Sequence, residues 1–245
     1  MAKTHNPART LWLELQKSIS PKRLSPYTDT ADKDELDSLG RYFWNIALCE
    51  AMYPSLQCVE ISLRNAMNYA IHRHTKNAFW FDDPTLLGPN EISKVGRAKT
   101  ELVNHGKRIE PGRVVAELTF GFWTSLFAAP YEHTILMPIV SSVFPGMPPV
   151  LQNRSDISTS FGRIKTLRNR VFHHEPIWYV PDLDKRHDEI LNAIAWINPR
   201  KRAYVEVIDR FEEIYKLGWQ HYRAEVEFQL LIEEEARIAT TKPSP

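Results

Sequence analysis

Apolar residues in this chain of 245 return at steps of three and four, segment after segment, and no segment alternates with a period of two between turn signals. The clearest stripe is Ile157, Phe161, Ile164, Leu167 and Val171, spaced four, three, three and four. Side chains so spaced share one face of an α-helix and need a core to lie against. Earlier stripes are Leu36, Leu39, Phe43, Ile46 and Ala47, then Val59, Leu63, Ala66, Met67, Ala70 and Ile71. The pattern predicts an all-α protein, a bundle of seven or eight helices.

In order, a short helix is expected near 8–18. The next, over 34–53, opens on the acids Asp32, Asp34 and Glu35, as the helix dipole favours, and ends at Pro54. Ser55 then caps a helix to about 77. A polar helix over 90–105 has few apolar anchors and is expected to face solvent. A buried helix follows over 113–129, where Gly121 permits close contact. The apolar, proline-rich segment 138–149 reads as a rigid connector. The stripe helix spans 150–175, followed by helices over 182–197, 199–217 and 222–239 and a frayed tail over 240–245. No Gly/Ser linker divides the chain. We therefore expect a main helical domain over 34–220, an N-terminal arm over 1–33, and a C-terminal helix and tail over 221–245.

With 43% hydrophobic and 11% aromatic residues, the chain can bury a sizeable core. Its net charge of +1 selects no partner class, so only local charge is informative. Between 154 and 170, Arg154, Arg163, Lys165, Arg168 and Arg170 stand against Asp156 alone, whereas acids outnumber bases over 203–239. Two cysteines, Cys49 and Cys58, make neither a disulfide framework nor a four-ligand zinc site, and are expected as buried free thiols. Residues 1–12 lack the apolar run of a signal peptide, and prolines break the uncharged stretch 134–153. A soluble, cytoplasmic protein with no membrane partner is expected.

The densest chemistry lies at the end of the stripe helix: Leu167-Arg168-Asn169-Arg170-Val171-Phe172-His173-His174-Glu175-Pro176, with Pro176 expected to stop the helix. At about 100° per residue, Asn169 and His173 share a face, as do Arg170 and His174. Arginine forks onto phosphate and keeps its charge, and histidine titrates near neutrality. Without a serine or cysteine nucleophile beside them, arginine and histidine suit RNA cleavage, where the substrate's 2′-hydroxyl attacks and no metal or other cofactor is needed. The same residue types also suit ordinary capping and ion pairing at a helix C-terminus. Adjacent histidines point about 100° apart and do not chelate as a pair four residues apart would. His-Glu-x-x-His, Gly-x-Ser-x-Gly and phosphate-binding glycine loops do not occur. Upstream, Glu60 and Arg64 stand four apart and are expected to pair.

The string 167–177 resembles the signature of Abi-like (abortive infection, AbiD/AbiF type) proteins of the HEPN superfamily, an arginine, four to six residues and a histidine. Arg168-Asn169 and His173 fit with four intervening residues, and His174 fits with five. Residues 59–66 resemble that family's second-helix motif, and 118–123 its Phe-Gly-aromatic segment, so the resemblance covers about 59–177. It implies a HEPN-like helical bundle with additional N- and C-terminal helices. It also implies a metal-independent endoribonuclease with RNA as substrate, its composite site formed by a homodimer, acting in phage defence or toxin-like growth arrest, with an antitoxin or guide RNA as a possible partner. Arg168 would stabilise the scissile phosphate, Asn169 orient it, and His173 act as general base or acid. His174, Arg170, Glu60, Arg64 and Asn65 would support the site. The alternative within the same resemblance is a non-catalytic RNA-binding or protein-interaction module.

Overall fold

The computed structural model describes residues 6–28 and 34–241. Asp32 and the tail beyond Thr241, both named above, lie outside them. Among the described residues there are eleven α-helices, several single turns of tighter or wider helix, and no strand. The all-α expectation holds. No described helix is long and apolar enough to cross a membrane.

The helices are α1 (Pro7–Ile19), α2 (Pro21–Leu24), α3 (Glu35–Thr75), α4 (Pro89–Asn104), α5 (Pro111–Glu117), α6 (Phe120–Ser125), α7 (Met137–Val143), α8 (Arg154–Phe172), α9 (Leu183–Ile197), α10 (Pro199–Val205) and α11 (Phe211–Thr241). The chain divides into two units. The first takes the described parts of Met1–Met52 and Arg210–Pro245, with Arg170–Asp184. The second takes Tyr53–Asn169 and Lys185–Asp209.

In the first unit, Asn6 caps α1 by accepting the Arg9 amide at 3.0 Å, ahead of Pro7. Trp12, Leu24, Tyr27 and Leu39 form the core, with Tyr42, Trp178 and Val226 packed against it. The buried Arg41 guanidinium lies 4.9 Å from the ring centre of Trp219 and 5.6 Å from that of Trp178, and donates to the Tyr27 carbonyl at 3.2 Å. Its charge is thereby held between ring faces instead of in water. The Trp44 indole N–H donates to the Ile214 carbonyl at 3.0 Å, and Arg223 donates to Asp37 at 2.8 Å. Helix α11 turns at Gly218, whose φ of 69° suits glycine. Just beyond that turn it comes so near α3 that a Cβ on Gly40 would lie 2.8 Å from both the Trp219 carbonyl oxygen and Arg223 Cβ.

In the second unit, Phe127, Phe144 and Phe161 form a ring cluster with centroids 5.2–6.2 Å apart, and Trp80, Phe122 and Trp123 form another. The predicted stripe on α8 is buried along its length, from Ile157 at 0% exposure to Val171 at 6%. Glu91 and Tyr131 fasten α4 to the turn before α7: the Tyr131 hydroxyl donates to Glu91 and accepts the Gly88 amide. Burial pushes the Glu91 carboxyl up. Hydrogen bonds from Tyr131, Lys94 and Ser125 outweigh it and hold the group below its ordinary range.

Several expected boundaries are corrected. Helix α3 runs straight through Pro54, and Ser55 is a buried interior residue, not a cap. A proline inside a helix costs about 3 kcal/mol. Leu48, Met52, Leu56, Val59 and Leu63 on either side are all buried, each worth roughly 1.5–3 kcal/mol. Helix α4 is not wholly solvent-facing, because Glu91, Val95, Ala98 and Leu102 make a buried stripe at helical spacing. The expected helix over 113–129 breaks at Leu118, whose ψ is 126°. The break allows Leu118, Phe120, Phe122 and Trp123 all to be buried, which one helical face could not do. Gly121 meets only the Thr119 hydroxyl at ordinary contact distance and serves no close approach. The proline-rich connector contains α7, since Pro138 falls in its first turn, where proline is tolerated. The helix expected over 199–217 ends at Val205. Beyond it, Asp209 Oδ2 lies 2.8 Å from His187 Nε2 of α9, with both side chains buried. Both cysteines are free and only partly buried.

One substitution at two glycines should act with opposite sign. Gly40→Ala should destabilise the protein by about 1–3 kcal/mol through overpacking. Gly96→Ala, where a Cβ meets nothing within 4 Å on an exposed face of α4, should stabilise it by about 1 kcal/mol. Urea unfolding of the two variants checks both.

Candidate functional site

Helix α8 begins at a cap in which the Asn153 side chain accepts the Asp156 amide at 3.0 Å. It ends at Phe172, four residues before Pro176. The termination is local. His174 adopts a left-handed conformation with φ 56°. Its amide donates to the Val171 carbonyl at 3.2 Å, and the Glu175 amide reaches back to the Arg170 carbonyl at 2.8 Å. These are the paired 5→2 and 6→1 bonds of a Schellman cap, which satisfy carbonyls that a helix end otherwise leaves open. Proline is therefore not the stop. Pro176 disfavours helical geometry at Glu175 and comes after the helix is already closed.

Beyond the cap the chain is anchored by Asn45 of α3. Its side-chain oxygen accepts the amides of Ile177 at 2.7 Å and Trp178 at 3.1 Å. Asn45 is 4% exposed and Ile177 is fully buried, so the bond to Ile177 forms where water is excluded, and the bond to Trp178 is part-buried.

The boundary between the two units falls within α8, after Asn169. On the second unit's side, Arg168 Nε donates to the Glu60 carboxylate of α3 at 3.2 Å, with each side chain about one quarter exposed. Glu60 thus turns to Arg168 and not to Arg64, contrary to the spacing. Arg64 bonds the Asn65 side chain at 3.3 Å and the Ala116 carbonyl at 3.4 Å. Asn169 is exposed. On the first unit's side, Arg170 meets Tyr179 twice, with the guanidinium 5.6 Å from the ring centre and a 3.4 Å hydrogen bond to the hydroxyl. It also stands 3.6 Å from Glu175. His173 and His174 are exposed.

The run of cations on α8 is largely neutralised by acids distant in sequence. Arg154 pairs with Glu132 at 3.0 Å, Arg163 with Glu189 at 2.9 Å, and Arg168 with Glu60. Partly exposed pairs of this kind are worth only about 0–1 kcal/mol each, so a phosphate can displace the carboxylate. Among the described residues, no three histidine, cysteine or acidic side chains gather as a metal set would.

Sequence reasoning missed Asn45 and Tyr179. Asn45 lies 132 residues from its partner Ile177 and carries no local signal. Tyr179, an aromatic nine residues after Arg170, is a findable partner for a guanidinium.

Asn45→Ala leaves two amides without an acceptor, one of them buried. It should cost about 2–4 kcal/mol in urea unfolding.

No family model, curated protein or solved structure matches the chain.

Proposed function

We propose that this chain is a metal-independent endoribonuclease of the Abi-like HEPN type, a HEPN-like helical bundle whose composite site is completed by a second copy. One observation carries the reading: Arg168 of the Arg-Asn-x-x-x-His string donates to Glu60, a residue of the second-helix motif, 108 positions away. The resemblance alone had linked those two segments.

In this reading the substrate's 2′-hydroxyl attacks the adjacent phosphorus. Arg168, pre-oriented by Glu60, leaves that carboxylate for the phosphate and stabilises the charge that builds on it. Asn169 orients the phosphate, and His173 takes the hydroxyl proton or returns one to the leaving oxygen. One chain supplies half of this set, and its copy supplies the other half. Asn169 and His173 are exposed at the end of a helix whose opposite face is buried, so both are accessible to a polymer. RNA cleavage of this kind serves phage defence through growth arrest.

A second reading is a non-catalytic RNA-binding or protein-interaction module. The ion pairing of Arg154, Arg163 and Arg168 leaves fewer free cations for phosphate, which favours the protein-interaction form of that reading over the RNA-binding one.

Purified protein incubated with total RNA in EDTA separates the two. We expect cleavage by the wild type, reduced by about 10²-fold or more in His173→Ala and in Arg168→Ala. A mixture of these two variants should recover part of the activity if each site draws on both chains. Cleavage undiminished in His173→Ala overturns its role. Salt-sensitive binding without products supports the second reading.

A further inference from the structure

We propose that a recess in the first unit binds a small organic anion, an aromatic carboxylate, at a site distinct from Arg168 and His173 that shares only His174 with the residues of the ribonuclease reading. The recess has a volume of about 310 Å³, within the range of small-ligand pockets. Tyr27 and Asn45, 3% and 4% exposed, form its floor, and the exposed Arg23 and His174 stand at its rim. Tyr42 and Cys49 complete its polar lining.

The chemistry of that lining is one-sided. Among the described residues lining the recess none carries a carboxylate, and the fixed charge is the Arg23 guanidinium. Burial pushes Tyr27 and Tyr42 upward more than Arg23 draws them down, so both phenols remain O–H donors. The Asn45 oxygen is occupied by the Ile177 and Trp178 amides, which leaves its NH₂ for the recess; among the described residues that group makes only a long 3.9 Å contact with Cys49 sulfur. Burial raises the Cys49 thiol to about 11, so it stays neutral and is no nucleophile. An imidazole carries at least one N–H in every tautomer and protonation state, so His174 adds a donor at the rim.

A concavity of donors around one fixed positive charge selects an anion. One charge matches a carboxylate, whereas a phosphate dianion would bring a second, uncompensated charge into a partly dry site. The walls fit a flat apolar body: the Tyr27 and Tyr42 rings meet edge to face at 5.3 Å, beside Ile19 and Ile46.

His174 supplies an independent argument. It occupies the left-handed position of the Schellman cap, where glycine is the unstrained residue. The cap alone gives no reason for a side chain there. Lining the recess does.

The test uses the full chain and isothermal titration with indole-3-acetate, its neutral analogue indole-3-acetamide, and inorganic phosphate. We expect indole-3-acetate to bind with a Kd on the order of 10–500 μM. The neutral amide should bind at least about tenfold more weakly, as should the anion to Arg23→Gln, a change at an exposed residue. His174→Gly should weaken binding while raising Tm by about 2–4 °C, the signature of strain held for a side chain rather than for stability. Equal binding of acid and amide, or no effect of Arg23→Gln, overturns the proposal. So does displacement by equimolar phosphate, which would make the site one for phosphate groups. A fall in Tm for His174→Gly overturns the strain argument. Absence of heat with indole-3-acetate up to about 10 mM overturns the site itself.

Discussion

A single buried amide governs the region that matters most. The Asn45 side-chain oxygen takes two consecutive backbone N–H groups, and leaving the buried one, that of Ile177, without a partner would cost about 1–3 kcal/mol. That requirement settles where the chain goes after α8 and which rings surround it. Trp178, placed by its own amide, stacks near Tyr27 and offers its face to Arg41. Arg41 in turn reaches the Tyr27 carbonyl and the Trp219 ring, so α3, the segment after α8 and α11 share one set of contacts within the first unit. Asn45 also lines the recess. One residue therefore determines both the path of the histidine-bearing turn and the chemistry beneath it.

The arginines of α8 follow a different logic. In the sequence they form a positive run, and a positive run suggests a polyanion. In the structure most of them have acids of other helices at hydrogen-bonding distance, so the cationic charge is pre-oriented more than it is free. Pre-orientation favours a reaction in which one phosphate must be met at one angle. It favours less a surface that grips nucleic acid along its length, where affinity grows with the number of phosphates neutralised. Arg168 is the instructive case, since its partner Glu60 lies in the motif that resemblance, and not spacing, connected to it.

The all-α class and the buried stripe from Ile157 to Val171 were legible because both depend on helical period alone. The failures share a cause. Pro54 and Pro138 read as local punctuation and Leu118 as the interior of a helix, and in each case burial or position within a turn decided the outcome. Lysines and arginines on α4 concealed the four-residue stripe that does its packing. At the candidate site, the residue types and order were legible from Arg168 to His174. The Glu60 pairing was not derivable from the spacing, which pointed to Arg64. The left-handed turn at His174 was also missed, because Pro176 offered a simpler stop. The recess had no sequence signal, since its lining comes from 19–49 and from 174, and only the fold brings these together.

The division of the chain has a consequence for how the protein is made. The second unit draws most of its residues from one uninterrupted stretch, Tyr53–Asn169. The first unit is assembled from three separate stretches, the last beginning at Arg210. During synthesis the second unit can begin to pack as soon as its long stretch has left the ribosome. The first must keep Trp12, Leu39 and Trp44 waiting until α11 arrives with Ile214, Trp219 and Arg223. Closing contacts across some 170 residues is slow, because the loop entropy is lost before the contacts form. Helix α1 and the N-terminal half of α3 thus spend the longest time with apolar side chains uncovered, and of the two α3 is the longer helix. It is the segment on which a chaperone, or an aggregating neighbour, has the most time to act.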